Sequence, residues 1–126
     1  MLDKISALYP AIGNATAAAL PTGWQKVWVY VEILPGRTSV ATFYTKEDPA
    51  KLEYMRLPRQ VFRLFEQLHQ VSQADPQTAW TNVTFIMTNT GKFNVEYGYE
   101  PVPVESEVER RRTWERKYLP SSSARG

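Results

Sequence analysis

The stretch WQKVWVYVEIL, residues 24–34, decides how this chain is read. Its β-branched and aromatic residues favour a pleated, half-buried backbone over a helix. Side chains alternate along a strand, so Val27, Val29, Val31 and Ile33 share one face while Trp28, Tyr30 and Glu32 share the other. The valine face is an ordinary core surface. The second face leaves two readings open. Large aromatics bordered by charge anchor protein interfaces, yet a central strand can equally be covered on both sides.

Working outward, the turn PGRTS leads into SVATFYT (39–45), which returns as the second strand of a hairpin. KLEYMRL (51–57) follows a turn at 46–49 and reads as a third strand. Upstream, Leu2, Ile5, Leu8, Ile12 and Ala15/Ala16 keep the i, i+3/i+4 rhythm of one helical face across 2–20. Pro10 and Gly13 predict a kink or split in that helix, and Pro21, Thr22 and Gly23 end it. Downstream, Pro58 suits a first helical turn, where its missing N–H is no loss. RQVFRLFEQLHQVSQAD (59–75) then presents Val61, Phe62, Leu64, Phe65, Leu68 and Val71 as a broad apolar face, stopped by Asp75-Pro76.

WTNVTFIMTNTGKFNVEYGYE (80–100) reads as a second hairpin turning at Asn89-Thr90-Gly91. Its return strand sets Phe93, Val95, Tyr97 and Tyr99 on a buried face against Asn94, Glu96, Gly98 and Glu100. After Pro101 and Pro103, ESEVERRRTWERKYL (105–119) forms a highly charged last helix. The expected fold is α+β: an antiparallel sheet of about five strands with helices packed mainly on one face. One domain is expected over residues 1–120, with a disordered tail at 121–126.

A chain of 126 residues, 43% hydrophobic and 13% aromatic, can fill one core. No apolar run approaches the ~20 residues a membrane helix needs. MLDKISALYPAIG carries an acid at position 3 and no long apolar run, so no secretory signal is expected. The absence of cysteine excludes disulfides and thiolate metal sites and fits a reducing compartment. A cytoplasmic protein without membrane association is the expectation.

The net charge of +2, from 15 basic and 13 acidic residues, lacks the basic excess of a nucleic-acid binder. The distribution is less even. Glu96, Glu100, Glu105, Glu107 and Glu109 occur without an intervening Lys or Arg, and Arg110, Arg111, Arg112, Arg116 and Lys117 follow with Glu115 alone among them. On a helix, the Glu109–Arg112 and Arg112–Glu115–Arg116 spacings suit ion pairing within the helix. A self-paired, solvated helix anchored by Trp114 and Tyr118 is preferred over a phosphate site.

Catalytic chemistry finds little purchase. With no cysteine and one histidine, His69 in mid-helix, neither a transition-metal site nor an activated nucleophile is indicated. The isolated glycines form no phosphate loop. Glu96 and Glu100 lie four apart on a strand, roughly 13 Å between Cα atoms, beyond the ~5–9.5 Å carboxylate spacing of glycoside hydrolysis. A non-enzymatic binding protein without cofactor or metal is expected.

The C-terminal half resembles the YezG-type bacterial immunity proteins. The residues that carry the likeness are Trp80-Thr81-Asn82, the turn Gly91-Lys92-Phe93, the pair Tyr97 and Tyr99, and Glu109, Arg110, Trp114, Lys117, Tyr118 and Leu119 on the last helix. Gly23 to Val27 and Phe43-Tyr44 extend it, so that it spans residues 1–119. The resemblance implies an antitoxin that binds the C-terminal domain of a polymorphic secreted toxin, commonly a nuclease or nucleic-acid deaminase. The signature residues Trp80, Gly91, Lys92, Phe93, Tyr97, Tyr99, Trp114 and Tyr118 are then expected to build the scaffold. Toxins acting on nucleic acid need basic grooves, so toxin contacts are expected from Glu96, Glu100, Glu105, Glu107 and Glu109. A second candidate is Glu47, Asp48, Glu53 and Tyr54. The alternative is a protein- or nucleic-acid-binding adaptor unrelated to toxins.

Overall fold

The valine–aromatic segment becomes the middle of an antiparallel sheet. In the computed structural model, which describes residues 2–75 and 77–120, it forms β1 (Lys26–Leu34). β2 (Arg37–Thr45) pairs with one side of β1, and β3 (Leu52–Met55) pairs with β2. β4 (Asn82–Thr88) takes the other side of β1, and β5 (Phe93–Gly98) closes that edge. The strand order is β3-β2-β1-β4-β5. Three helices accompany the sheet: α1 (Leu2–Ala19), α2 (Arg59–Gln73) and α3 (Glu107–Tyr118), the last preceded by a 3-10 turn at Val104–Ser106. This is the expected α+β fold. The tail expected to be disordered, residues 121–126, lies outside the described residues.

The alternation of β1 is realised as two different cores. Val27, Val29 and Val31 join Tyr44, Val83, Phe85 and Met87 beneath α1 and α2, which contribute Ile12, Val61, Phe65 and Leu68, with Leu20 just after α1. Val61, Phe65 and Leu68 follow the helical repeat and are buried, so α2 delivers one stripe to the sheet. Trp28, Tyr30 and Ala41 pack on the opposite face with Trp114 and Leu119. The two readings left open for the Trp28/Tyr30 face are thereby decided. It is covered, and α3 is the cover. The expectation of helices mainly on one face holds for two of the three. Large aromatics at the centre of a sheet would otherwise stay wet, at a cost of roughly 25 cal/mol per Å² of apolar surface.

Other boundaries moved for physical reasons. α1 runs unbroken through Pro10, because Tyr9 on one side and Ile12 on the other both pack inward. β3 is shorter than 51–57, since Leu57 turns into the core under α2 rather than extending the strand. Tyr99 does not join the buried face. β5 ends at Gly98 and Tyr99 is 54% exposed, while Phe93 at the other end is 46% exposed although it stacks on Phe85. Only Val95 and Tyr97 of that face are inside the strand's covered stretch. Gly91 adopts φ 92° in the hairpin turn, a conformation L side chains rarely take.

Trp80 fixes the start of the second hairpin. It is buried, its indole N–H donates to Ser72 Oγ at 3.1 Å, and its ring meets His69 edge-on at 4.8 Å. Burial lowers the His69 pKa below its ordinary 6.5, against an opposing hydrogen bond with the Trp80 backbone. The unfolded chain therefore takes up the His69 proton at higher pH than the folded one. Stability from this group is present above pH 6.5 and is lost as pH falls through the folded value. The urea midpoint is expected to drop between about pH 7.5 and 5.5, and His69→Gln to flatten that dependence. The lowered pKa values of Glu100 and Glu107 act only further down, below 4.5. A slope unchanged in the His69→Gln variant would contradict the assignment.

Candidate functional site

Glu32 is a carboxylate in the middle of the strongest strand, and it is 2% exposed. Such a group is expensive to bury unless both oxygens are bonded and its charge is matched. Both conditions are met by one arginine. Arg110 donates through Nε to Glu32 Oε2 at 2.7 Å and through Nη2 to Oε1 at 2.9 Å. The Tyr30 hydroxyl also donates to Oε2. The remaining guanidinium nitrogen donates to the Pro103 carbonyl at 2.7 Å and to Ser106 Oγ at 3.0 Å. Burial, with the neighbouring carboxylate, pushes the Tyr30 phenol up.

Four residues on, Trp114 stacks against Tyr30 at 5.0 Å and donates its indole N–H to Thr84 Oγ1 at 2.9 Å. Four further, the Tyr118 hydroxyl donates to Glu96 Oε1 at 2.6 Å. Burial first, and then that bond, holds the Tyr118 phenol above its usual value. Arg110, Trp114 and Tyr118 thus lie on one stripe of α3, as spacing by four requires. They touch β1, β4 and β5 in turn. The expectation of a self-paired, solvated helix is corrected at Arg110, whose partner is a buried strand residue rather than a neighbour on its own helix.

Because α3 crosses above β4 and β5 at this height, a cleft of about 500 Å³ opens between them. Glu96, Glu100 and Glu109 line it, with Lys117, Asn82 and Thr113. Arg110 also reaches it but is neutralised by Glu32. Glu100 is held at the rim: Asn82 Nδ2 donates to it at 3.3 Å and the Tyr99 amide at 3.2 Å. Hydrogen bonding from its own backbone amide is the largest of several causes that lower its pKa. At Gly98 a Cβ would lie 2.5 Å from the Asn82 side-chain amide, which would have to move from its place beside Glu100. Three carboxylates therefore share with one lysine a cleft that is also lined by aromatic rings.

The other expected contacts are dispersed. Glu107 points to the far flank of α3, where it accepts from Arg37 and, at 2.9 Å, from Ser39. Arg37 is the main cause of its lowered pKa. Glu105 is exposed in the 3-10 turn beside Val104 and away from the cleft lining. Glu47, Asp48, Glu53 and Tyr54 sit at or before β3, the opposite edge of the sheet from β5. Asp48 Oδ1 there accepts from the Ala50 amide, closing its own turn. Tyr54 is 59% exposed and meets Phe43 edge-on at 5.4 Å. The two acidic regions cannot form one continuous patch. Among the signature residues, Lys92 is exposed at the hairpin turn, while Trp80 and Trp114 are buried. Among the described residues, no group of three or more His, Cys, Asp or Glu comes together to hold a metal.

The match to a protein-family model described as YezG-like, "Immunity protein YezG-like", covers residues 50–124. The chain belongs to this family. A protein from Bacillus subtilis strain 168, "Immunity protein YezG", is 28% identical over 89% of this chain and 85% of its own length. Its namesake from Bacillus spizizenii is 27% identical over 92% and 83%. A Staphylococcus aureus protein, "Type VII secretion system protein EsaG", is 26% identical over 77% and 69%. The matched region runs from just before β3 through α3, and so contains Arg110, Trp114 and Tyr118 but not their partner Glu32.

Two sets of residues were missed by sequence reading. Asn82, Thr113 and Lys117 join the cleft only through strand register and the crossing of α3. The Glu32–Arg110 pair had a signal: a lone acid inside a valine–aromatic strand demands a cation. Removing one partner of a buried pair typically costs about 3–5 kcal/mol. Arg110→Met is expected to lower stability by that much in urea unfolding. The double variant Glu32→Gln/Arg110→Met should recover on the order of 2 kcal/mol relative to the sum of the single changes. Additive effects would show that the two groups are not coupled.

Proposed function

We propose that this immunity-family chain binds and neutralises the C-terminal toxin domain of a cognate secreted bacterial toxin. In this reading the toxin is a nuclease or nucleic-acid deaminase, and the chain acts in the cytoplasm as a non-enzymatic inhibitor. Residues 1–120 serve as one binding domain. Family membership supports the class of partner, and the name of the staphylococcal relative ties that protein to a type VII secretion system.

The observation that carries the contact surface is the cleft beside α3, where Glu96, Glu100 and Glu109 gather. An enzyme that grips phosphates exposes a basic groove. Exposed carboxylates gathered along a concave surface match that groove and accelerate encounter. Glu96 and Glu100 are already oriented by Tyr118 and Asn82, so little side-chain freedom is lost on binding. Glu105 forms the outer rim of this surface. Glu107 contributes indirectly, by fastening the start of α3 to β2 through Arg37 and Ser39. Glu47, Asp48, Glu53 and Tyr54 provide a second, separate contact region on the other sheet edge.

The test uses the C-terminal domain of the protein encoded immediately upstream of this gene. Glu100→Lys/Glu109→Lys is expected to weaken binding at least about tenfold and to flatten its salt dependence, with circular dichroism unchanged. Protection in co-expression should fall in parallel. Unchanged affinity would remove the cleft from the interface. Failure of the unaltered chain to bind or protect against that domain would overturn the toxin reading itself.

A further inference from the structure

A second groove, of about 660 Å³, lies where β2 begins and the chain enters α2. Arg37, Arg56, Arg59 and Arg63 line it, over a floor made by Leu57 and Phe62. Nothing in the proposed mechanism uses it. Arg56, Arg59 and Arg63 are exposed, and among the described residues none of them takes part in an ion pair or a side-chain hydrogen bond. Arg37 is tied to Glu107, and Glu66 accepts from Thr38 at 2.8 Å.

The arrangement is electrostatically unrelieved. Arg59 opens α2, whose first turn holds no acid and whose preceding residue, Pro58, supplies no side-chain cap. A cation at the positive end of a helix is the reverse of what the helix field favours. Arg63, one turn further, repeats the charge at the i, i+4 position, where like charges repel. The residues that stabilise the free chain would be acids here, and the chain presents arginines.

We infer that this groove is a docking site for an acidic, carboxylate-bearing segment of a protein partner. All four cations are arginine and none is lysine, the choice that suits bidentate pairing with carboxylates and that is enriched at protein interfaces. Leu57 is buried and Phe62 half-buried in the floor, which gives apolar side chains of a peptide a place to rest. A nucleic-acid backbone gains nothing from such a floor. Glu66 in the lining and Glu107 behind Arg37 oppose either kind of anion alike, so the apolar floor is what favours a peptide. The site stands apart from the α3 cleft and does not depend on the toxin reading.

The probes are a fluorescein-labelled glutamate–leucine peptide and a single-stranded deoxyoligonucleotide of equal charge, each titrated with the intact chain by fluorescence anisotropy. The peptide is expected to bind saturably and more tightly than the oligonucleotide. Arg59→Glu/Arg63→Glu should weaken the peptide at least about tenfold, the scale of losing hydrogen-bonded charge pairs. Arg112→Glu/Arg116→Glu, an equal change in net charge on α3, should leave it within about twofold. Circular dichroism verifies the fold of both variants. An oligonucleotide that binds as tightly as the peptide, equal losses in the two variants, or no saturable peptide binding would each overturn the inference.

Discussion

A buried carboxylate with a single matching cation is the constraint on which the arrangement of this molecule turns. Glu32 sits in the central strand, where only a hydrogen-bonded, charge-matched environment is tolerable. Arg110 is 78 positions away and satisfies it with two bonds. Such a pair adds little net stability compared with apolar residues of the same shape. What it does is remove alternatives. If α3 slid by one turn, or turned its stripe away, Glu32 would be left charged and unpaired in the interior. The attractive energy comes from elsewhere, chiefly from Trp114, whose kind of buried ring is worth about 3–5 kcal/mol on truncation. Trp114 holds the helix down and Arg110 sets its register.

That division of labour explains how a helix of twelve residues, eight of them charged, exists at all. A helix this short is marginal in isolation, and it has no side-chain cap at its N-terminus. Its stability is borrowed from the sheet through Arg110, Trp114 and Tyr118. The same contacts that stabilise it also suspend it above β4 and β5 at a fixed height. The cleft is the geometric remainder: too little of α3 reaches β5 to fill the space, so Glu96 and Glu100 stay accessible from one side.

Most of the fold was legible because local signals agreed with one another. The β1 alternation, the glycine turn at Gly91, the Pro58 start and the apolar face of α2 each point to the same element in the same place. What escaped was decided between elements. No local pattern states which face of the sheet α3 will cover, and its mostly polar surface suggested solvent. The clue lay in composition at a distance: Trp28 and Tyr30 needed a cover, Glu32 needed a cation, and the stripe Arg110–Trp114–Tyr118 offers both. At the candidate site, Glu96 and Glu100 could be picked out as charged positions on or beyond an edge strand. Which other acid would join them was not readable, because Glu107 and Glu109 are two positions apart on a helix and point to opposite flanks. Tyr99 was misplaced for a related reason, since alternation continues on paper after the strand has ended at Gly98.

The contact between Arg37 and Glu107 gives the surface its larger order. It is a solvent-screened surface pair, and stability is not its main consequence. Glu107 belongs to the acidic block that runs into the start of α3, and Arg37 belongs to the arginine-lined groove beside α2. Their pairing marks the seam where one field gives way to the other. On one side carboxylates crowd a cleft without enough cations to match them. On the other, arginines crowd the start of a helix that would prefer acids. A chain with a net charge of only +2 has therefore separated its charges rather than interleaved them, forgoing favourable short-range pairings that a shuffled surface would contain. Separation of this kind costs the free protein stability and is recovered only when something complementary binds. On the proposed reading, the carboxylates of the cleft and the arginines of the groove are the charges a partner would match.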